Sequence, residues 1–332
     1  MAAIPSIKLN TGADIPAIGL GGGPDGFTPE HVAAAEKWFL TAFEPGYRHF
    51  DTAWAYGTEP SLGAALRASK VPREDVFITT KLPWHHPKYV ERSFNDSLSR
   101  LGVDYVDLYL MHWPQHLEYP KVWTTGKVND EHTFDKTWAE MERLHASGKA
   151  RAIGVSNFSI QTLEELFKTA KIVPAVNQVE MHPYYADTEL IEYCREKGIV
   201  VTAYSPTGYQ KLRSDPVLVG LAEKYKVSPT QLILAWHVAR GVVAVPKSTN
   251  VGRQKENLIL PALRTEDMAS VTALDRKERC EQWGTFGPDG KLLGWTAEQF
   301  GWQGDIGPKG RGQDRLCRGV LSAIYALTRT AQ

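Results

Sequence analysis

The chain has 332 residues, 42% of them hydrophobic and 23% charged, and its 38 lysines and arginines balance 38 aspartates and glutamates for a formal net charge of +0. This is the composition of a soluble globular protein with ample core material. With no basic field to hold polyanions, nucleic acid and anionic membranes are excluded as main partners.

Cys194, Cys280 and Cys317 form no C-x-x-C pair, which argues against a disulfide framework or a zinc site. The N-terminus lacks the apolar run of a signal peptide and no transmembrane-length segment follows, so the cytosol is the expected compartment.

In chain order, residues 7–15 read as a small hairpin turning at Asn10-Thr11-Gly12-Ala13. Residues 17–20 form a brief apolar strand that runs into Gly21-Gly22-Gly23-Pro24-Asp25-Gly26. Thr28 and Pro29 predict a helix start, as N-cap and first helical residue, and that helix continues to about Phe43. From there β-rich runs at 47–52, 76–81, 106–112, 151–156, 175–181, 199–205 and 242–247 alternate with amphipathic stretches. The helical stretches fall at 61–68, 90–101, 137–146, 160–171, 188–197, 216–226 and 229–239. Eight strands, nearly every one followed by a helix, predict parallel pairing with right-handed crossovers. The expected fold is a (β/α)8 TIM barrel with an N-terminal β-hairpin. We expect one domain over 1–332, with the barrel at about 7–276 and a C-terminal loop and tail at about 277–332.

Two segments stand outside the alternation. Residues 113–132, with Trp113, Tyr119 and Trp123, are a candidate pocket wall or lid. After Cys280 come Trp283, Phe286, Trp295, Phe300 and Trp302 among glycines, which suits a loop over a cavity, and 316–328 is an apolar helical pattern.

Gly21 to Gly26 satisfies G-x-G-x-x-G after a strand. A dinucleotide fingerprint needs its third glycine inside the following helix. Here Pro24 intervenes and the helix starts only at Thr28, so a flexible βα loop on the barrel rim is the better reading.

In a parallel barrel the residues that end the strands line one face. Those ends are Asp51, Lys81, His112, Ser156-Asn157, Gln178 to Glu180, Tyr204-Ser205 and Lys247-Ser248, with Tyr56 five residues past Asp51. A buried lysine beside Tyr56 favours the phenolate and lowers its pKa, and Asp51 would hold that lysine charged. A tyrosine tuned this way donates a proton near neutral pH, while His112 can orient a carbonyl oxygen. No G-x-S-x-G nucleophile occurs, no cysteine ends a rim strand, and Pro114 keeps His112 and His116 from sharing a helical turn, so no metal is expected. A proton donor without a nucleophile suits carbonyl reduction, given a bound hydride source.

Three ordered segments resemble the aldo-keto reductase superfamily. They are Gly46-Tyr47-Arg48-His49-Phe50-Asp51-Thr52-Ala53 with Glu59 and Gly63; Arg151-Ala152-Ile153-Gly154-Val155-Ser156-Asn157-Phe158; and Val245-Pro246-Lys247-Ser248 with Arg253, Glu256 and Asn257. The resemblance places a catalytic Asp, Tyr, Lys and His tetrad on Asp51, Tyr56, Lys81 and His112. It implies NADPH/NADP+ as cofactor, with Tyr204 on the nicotinamide and Ser156, Asn157 and Gln178 at its carboxamide. It also implies Lys247, Ser248 and Arg253 at the 2′-phosphate and Glu256 with Asn257 at the adenine, with Ser205 and Thr249 completing the cofactor set. A lysine and an arginine at a strand end and helix start do form a compact anion site.

Departures gather at the expected substrate pocket, which comprises Trp84, His112 and Trp113. The family's Gly-Thr-Trp after the first strand is Gly21-Gly22-Gly23, its Leu-Trp after the lysine is Leu82-Pro83-Trp84, and residues 207–215 are too short for more than a small clasp. The expected activity is NADPH-dependent reduction of aldehydes, and of ketones or sugars by extension, in a monomer or weak dimer. The alternatives are a cofactor-binding regulatory or structural subunit on the same barrel, and a non-redox barrel enzyme such as a hydrolase or lyase.

Overall fold

A computed structural model describes residues 4–118, 127–280, 286 and 289–302. Tyr119, Trp123, Trp283, Cys317 and the pattern at 316–328 lie outside the described residues. The hairpin is β1 (Ser6–Lys8) against β2 (Asp14–Pro16), antiparallel, with Gly12 at φ 85° in its turn. Eight strands follow: β3 (Leu20–Gly21), β4 (His49–Asp51), β5 (Phe77–Leu82), β6 (Leu108–Met111), β7 (Ile153–Ser156), β8 (Val176–Glu180), β9 (Val200–Tyr204) and β10 (Val243–Ala244). Each pairs in parallel with the next in sequence. The sheet closes through a parallel bridge of Ile18 to Ala244, where the Gly19 amide donates to Ala244 O at 2.9 Å and the Ala244 amide to Ala17 O at 2.8 Å. The predicted barrel is therefore present. Every residue of β5, β6, β7 and β8 is buried, as strands covered on both faces require.

The helices are α1 (Pro29–Ala33), α2 (Ala35–Phe43), α3 (Glu59–Ser69), α4 (Val90–Leu101), α5 (Phe134–Ala146), α6 (Ile160–Phe167) and α7 (Thr188–Glu196). They continue with α8 (Tyr209–Arg213), α9 (Pro216–Tyr225), α10 (Pro229–Ala239), α11 (Val251–Glu256), α12 (Thr265–Thr272) and α13 (Ala297–Phe300). Thr28 caps α1 as predicted, but the expected single helix to Phe43 is split at Ala34. The Val32 carbonyl there accepts the Ser61 hydroxyl of α3 at 3.0 Å, a bond that competes with the regular helical one.

Two apolar layers result. The outer layer packs α2 to α7 on the strands, with Phe39, Phe50, Phe94, Tyr109, Trp138 and Leu163 at its centre. Inside the barrel, Leu9 and Ile15 of the hairpin region join Phe77, Leu108, Leu110, Val176 and Val243, so the hairpin seals the end where the strands start. Asp51, Ser156 and Tyr204, the last residues of β4, β7 and β9, lie at the other end.

The glycine-rich loop is a loop: β3 stops at Gly21 and α1 begins at Pro29. A Cβ on Gly21 would lie 2.7 Å from Val245 O and one on Gly22 2.6 Å from Asp51 O, so these glycines allow the first strand to reach its neighbours. Gly63 does the same between helices, where a Cβ would lie 2.1 Å from Leu101 O. We expect Gly63→Val to separate α3 from α4 and cost about 3 kcal/mol or more. Denaturant unfolding checks this, and wild-type stability in the variant would contradict the close packing.

Candidate active site

The tetrad assembles from three successive βα connections. Asp51 is the last residue of β4, Tyr56 closes a 3₁₀ turn (Trp54–Tyr56), Lys81 lies near the end of β5 and His112 directly follows β6. Lys81 is fully buried; its ammonium donates to Asp51 Oδ1 at 2.6 Å and to Thr52 O at 2.8 Å, and lies 4.9 Å from the centre of the Tyr56 ring. Burial alone would pull the Lys81 pKa down, but Asp51 and Tyr56, each hydrogen-bonded to the ammonium, raise it above its ordinary value. Lys81 is thus a fixed positive charge beneath the phenol.

The His112 ring stands 5.6 Å from that of Tyr56, at 79°, and 5.7 Å from that of Trp84. Its pKa falls well below the ordinary histidine value, first through burial and then through the Lys81 charge. The imidazole is neutral. Its Nδ1 is buried without a partner among the described residues, and an unpaired N–H costs more than an unpaired lone pair. The tautomer with the proton on Nε2 is favoured.

Beside the tetrad lies a linked polar set. Gln178 Nε2 donates to Asp51 Oδ2 at 2.6 Å, and the Ser156 hydroxyl donates to Gln178 O at 2.8 Å. Asn157, held at φ 66°, donates from Nδ2 to His112 O at 3.0 Å and accepts from the Tyr204 hydroxyl at 2.8 Å. Ser205 also has positive φ, 47°. The expected residues of β7, β8 and β9 therefore meet next to the tetrad.

Lys247, at the far end of the rim, pairs with Asp25 of the glycine-rich loop. The Ser248 hydroxyl is used in its own turn, donating to Asn250 O at 3.3 Å, while Thr249, Arg253 and Glu256 are exposed and Asn257 is buried. Arg213, which sequence reasoning passed over, sits at the end of α8 in the loop after β9. Its pKa is lowered, first by burial and then by the charge of Arg253. Neither arginine forms an ion pair among the described residues. A signal existed in the sequence: α8 and α11 follow adjacent strands, so cations on both meet on one rim.

Sequence reasoning also left Arg279 unassigned. Its guanidinium binds Glu180 Oε2 at 3.2 Å and the Tyr185 hydroxyl at 2.8 Å, and lies 3.7 Å from the centre of the Trp302 ring. Burial works against the Glu180 charge, yet His182, Arg279 and the Cys280 amide hold its pKa down to about 2. This cluster fastens the C-terminal segment to the rim. From there Phe286, Leu292, Leu293, Phe300 and Trp302 pack with Ala55, Trp84, Trp113 and Leu117 in one apolar cluster, and Trp84 of that cluster lies against His112. Among the described residues no group of three or more His, Cys, Asp or Glu side chains is placed to hold a metal ion. Nor is any described helix long and apolar enough to cross a membrane.

The sequence profile of the Aldo/keto reductase family matches residues 17–276. This chain belongs to the aldo/keto reductase family. It is 43% identical over 292 residues to glycerol 2-dehydrogenase (NADP(+)) of Saccharomyces cerevisiae, covering 82% of this chain and 91% of that protein. It is 39% identical over 302 residues to human aldo-keto reductase family 1 member A1, covering 83% and 91%. Among solved structures, an aldo-keto reductase complexed with NADPH superposes with a TM-score of 0.80 at 30% identity, covering 95% of this chain and 97% of that one. A Bombyx mori aldo-keto reductase in complex with NADP gives 0.78 at 32%, covering 85% and 96%.

A neutral His112 in this family member has a consequence for pH dependence. Its second proton is absent from the folded state throughout the range where a free histidine titrates, so carbonyl turnover should show no inflection near pH 6.5 arising from this ring. Rate–pH profiles of the wild type and His112→Gln check this. An inflection near 6.5 present only in the wild type would contradict it.

Proposed function

We propose that the protein is an NADPH-dependent aldehyde reductase in which Tyr56 donates the proton. The observation that carries this is the buried Lys81 ammonium, fixed by Asp51 at 2.6 Å and placed under the Tyr56 ring. A permanent positive charge there stabilises the phenolate left behind when Tyr56 gives up its proton. His112, neutral and adjacent, donates a hydrogen bond from Nε2 to the carbonyl oxygen and so aligns it with the phenol.

The residues present suit the cofactor. Two arginines brought together without a carboxylate call for an anion, and Arg213 and Arg253 suit a phosphate. Ser156, Asn157 and Gln178 supply the donors and acceptors for a carboxamide, and Tyr204 a flat ring beside them. When bound, the nicotinamide supplies the hydride that reduces the carbonyl carbon. The chain's own work is to hold the ring, align the carbonyl and deliver the proton.

The cluster of Ala55, Trp84, Trp113, Phe286, Leu292, Leu293 and Phe300 carries no charge, which favours aldehydes with apolar substituents over charged ones. The relatives named glycerol 2-dehydrogenase (NADP(+)) and aldehyde reductase YPR1 support oxidoreduction at a carbonyl or alcohol carbon.

Tyr56→Phe should lose aldehyde reduction almost entirely while binding NADPH nearly as the wild type does. Steady-state NADPH oxidation with an activated aromatic aldehyde, alongside cofactor titration by fluorescence, tests this, and full turnover in the variant would sink the mechanism. Arg253→Ala should weaken NADPH by roughly 10- to 100-fold, the worth of one charge-assisted contact to phosphate, and NADH far less. Equal losses for the two cofactors would remove the phosphate assignment.

A further inference from the structure

Tyr56 and Lys81 belong to different βα units, and only non-covalent contacts set the distance between them. At the lysine end, Asp51 and Thr52 O fix the ammonium. The phenol end hangs on the Trp54–Tyr56 turn, closed by Tyr56 N to Ala53 O at 3.0 Å and Gly57 N to Trp54 O at 3.2 Å, with Gly57 at φ 71°. These bonds shape the turn, and just after it the Thr58 hydroxyl, donating to Gly22 O at 2.9 Å, ties its end to the loop after β3.

The attachment toward the βα unit of Lys81 comes from Trp54. Its indole N–H donates to Asp96 Oδ2 at 2.6 Å, and Asp96 lies on α4, the helix that follows the Lys81 strand. The same oxygen accepts from Arg100 Nε at 2.8 Å, one helical turn on, and the Arg100 guanidinium lies 4.6 Å from the centre of the indole. The His86 ring packs edge-on against Trp54 at 4.6 Å and is itself within 2.9 Å of Ser93 Oγ on α4. The turn that carries Tyr56 is thereby bolted, two residues before the phenol, to the βα unit that carries Lys81.

We propose that Trp54 and Asp96 form a positioning pair that sets the Tyr56 phenol over the Lys81 ammonium during proton transfer. This rests on Tyr56 being the proton donor. Neither residue contacts the reacting groups. Their effect is geometric, and a displacement of about 1 Å at a reacting group costs on the order of 100-fold in rate.

The test uses the full-length chain with NADPH and an uncharged aromatic aldehyde. Trp54→Phe keeps a ring against Arg100 and His86 but loses the indole N–H. Asp96→Leu removes the acceptor, while Asp96→Asn retains a carbonyl oxygen for it. Trp54→Phe and Asp96→Leu should each lower kcat by roughly 10- to 100-fold, with KM and NADPH affinity within about twofold of wild type. The double variant should be no slower than the slower single, and Asp96→Asn should retain most of kcat. The alkaline limb of the reduction profile should move to higher pH in the slow variants, because a phenol further from the ammonium holds its proton more tightly.

Wild-type kcat in Trp54→Phe and Asp96→Leu overturns the proposal. So does a parallel fall in kcat and NADPH affinity, or an unmoved alkaline limb, since either marks a general loss of structure. Tyr56→Phe in the same assays separates the two levels. If it turns over normally, the role of Tyr56 fails; if it is inactive while the Trp54 and Asp96 variants are normal, only the positioning pair fails.

Discussion

The buried pair of Lys81 and Asp51 is the contact on which the site depends. An ammonium with no exposure is tolerated only if its charge and its donors are answered, because an unpaired ion in a low-dielectric interior costs several kcal/mol. Here Asp51 answers the charge, Thr52 O takes a second donor, and Gln178 saturates the other carboxylate oxygen at 2.6 Å. Three strands contribute to this one balance. A pair so satisfied has no tendency to neutralise itself, so the charge stays available to the phenol.

Such a balance demands that β4, β5 and β8 end at the same height, and barrel closure supplies that. The closure is tight on the side of β3, where Gly21 and Gly22 let backbones approach to distances no Cβ would permit. The first glycine of a run that mimics a phosphate loop is thus explained by strand packing, while a Cβ on Gly23 would meet nothing within 4 Å. The hairpin with Leu9 and Ile15 seals the opposite end, which leaves one rim open.

How much of this was legible in the sequence depended on the range of the contact. Strand-ending residues were readable because a parallel barrel converts a local property, being last in a strand, into a shared location. Asp51, Lys81, His112, Ser156, Gln178 and Tyr204 were therefore found, and three local motifs named the family. The helix start at Thr28 was readable because that residue caps with its own neighbours. The break at Ala34 was not, because the bond found beside it, Ser61 to Val32 O, comes from another helix. Arg279, which ties the C-terminal segment to Glu180 across 99 residues of sequence, leaves no periodic trace. Arg213 was hidden in a loop judged by length alone, and Trp54 by standing beside a more conspicuous tyrosine.

The two ends of the rim are charged in different ways. Around Lys81 the charges are matched within the chain, so the electrostatics beside Tyr56 are set before any ligand arrives. At Arg213 and Arg253 the cations repel, with no carboxylate paired to either among the described residues, so the chain alone leaves that end electrostatically unfinished. An anion entering there relieves repulsion as well as gaining hydrogen bonds, whereas a neutral hydroxyl does only the latter. Lys247 lies between these cases, paired with an exposed Asp25 on a loop rather than with a buried partner. The catalytic end needs to align a ring and a carbonyl, and its own electrostatics need not change when they bind.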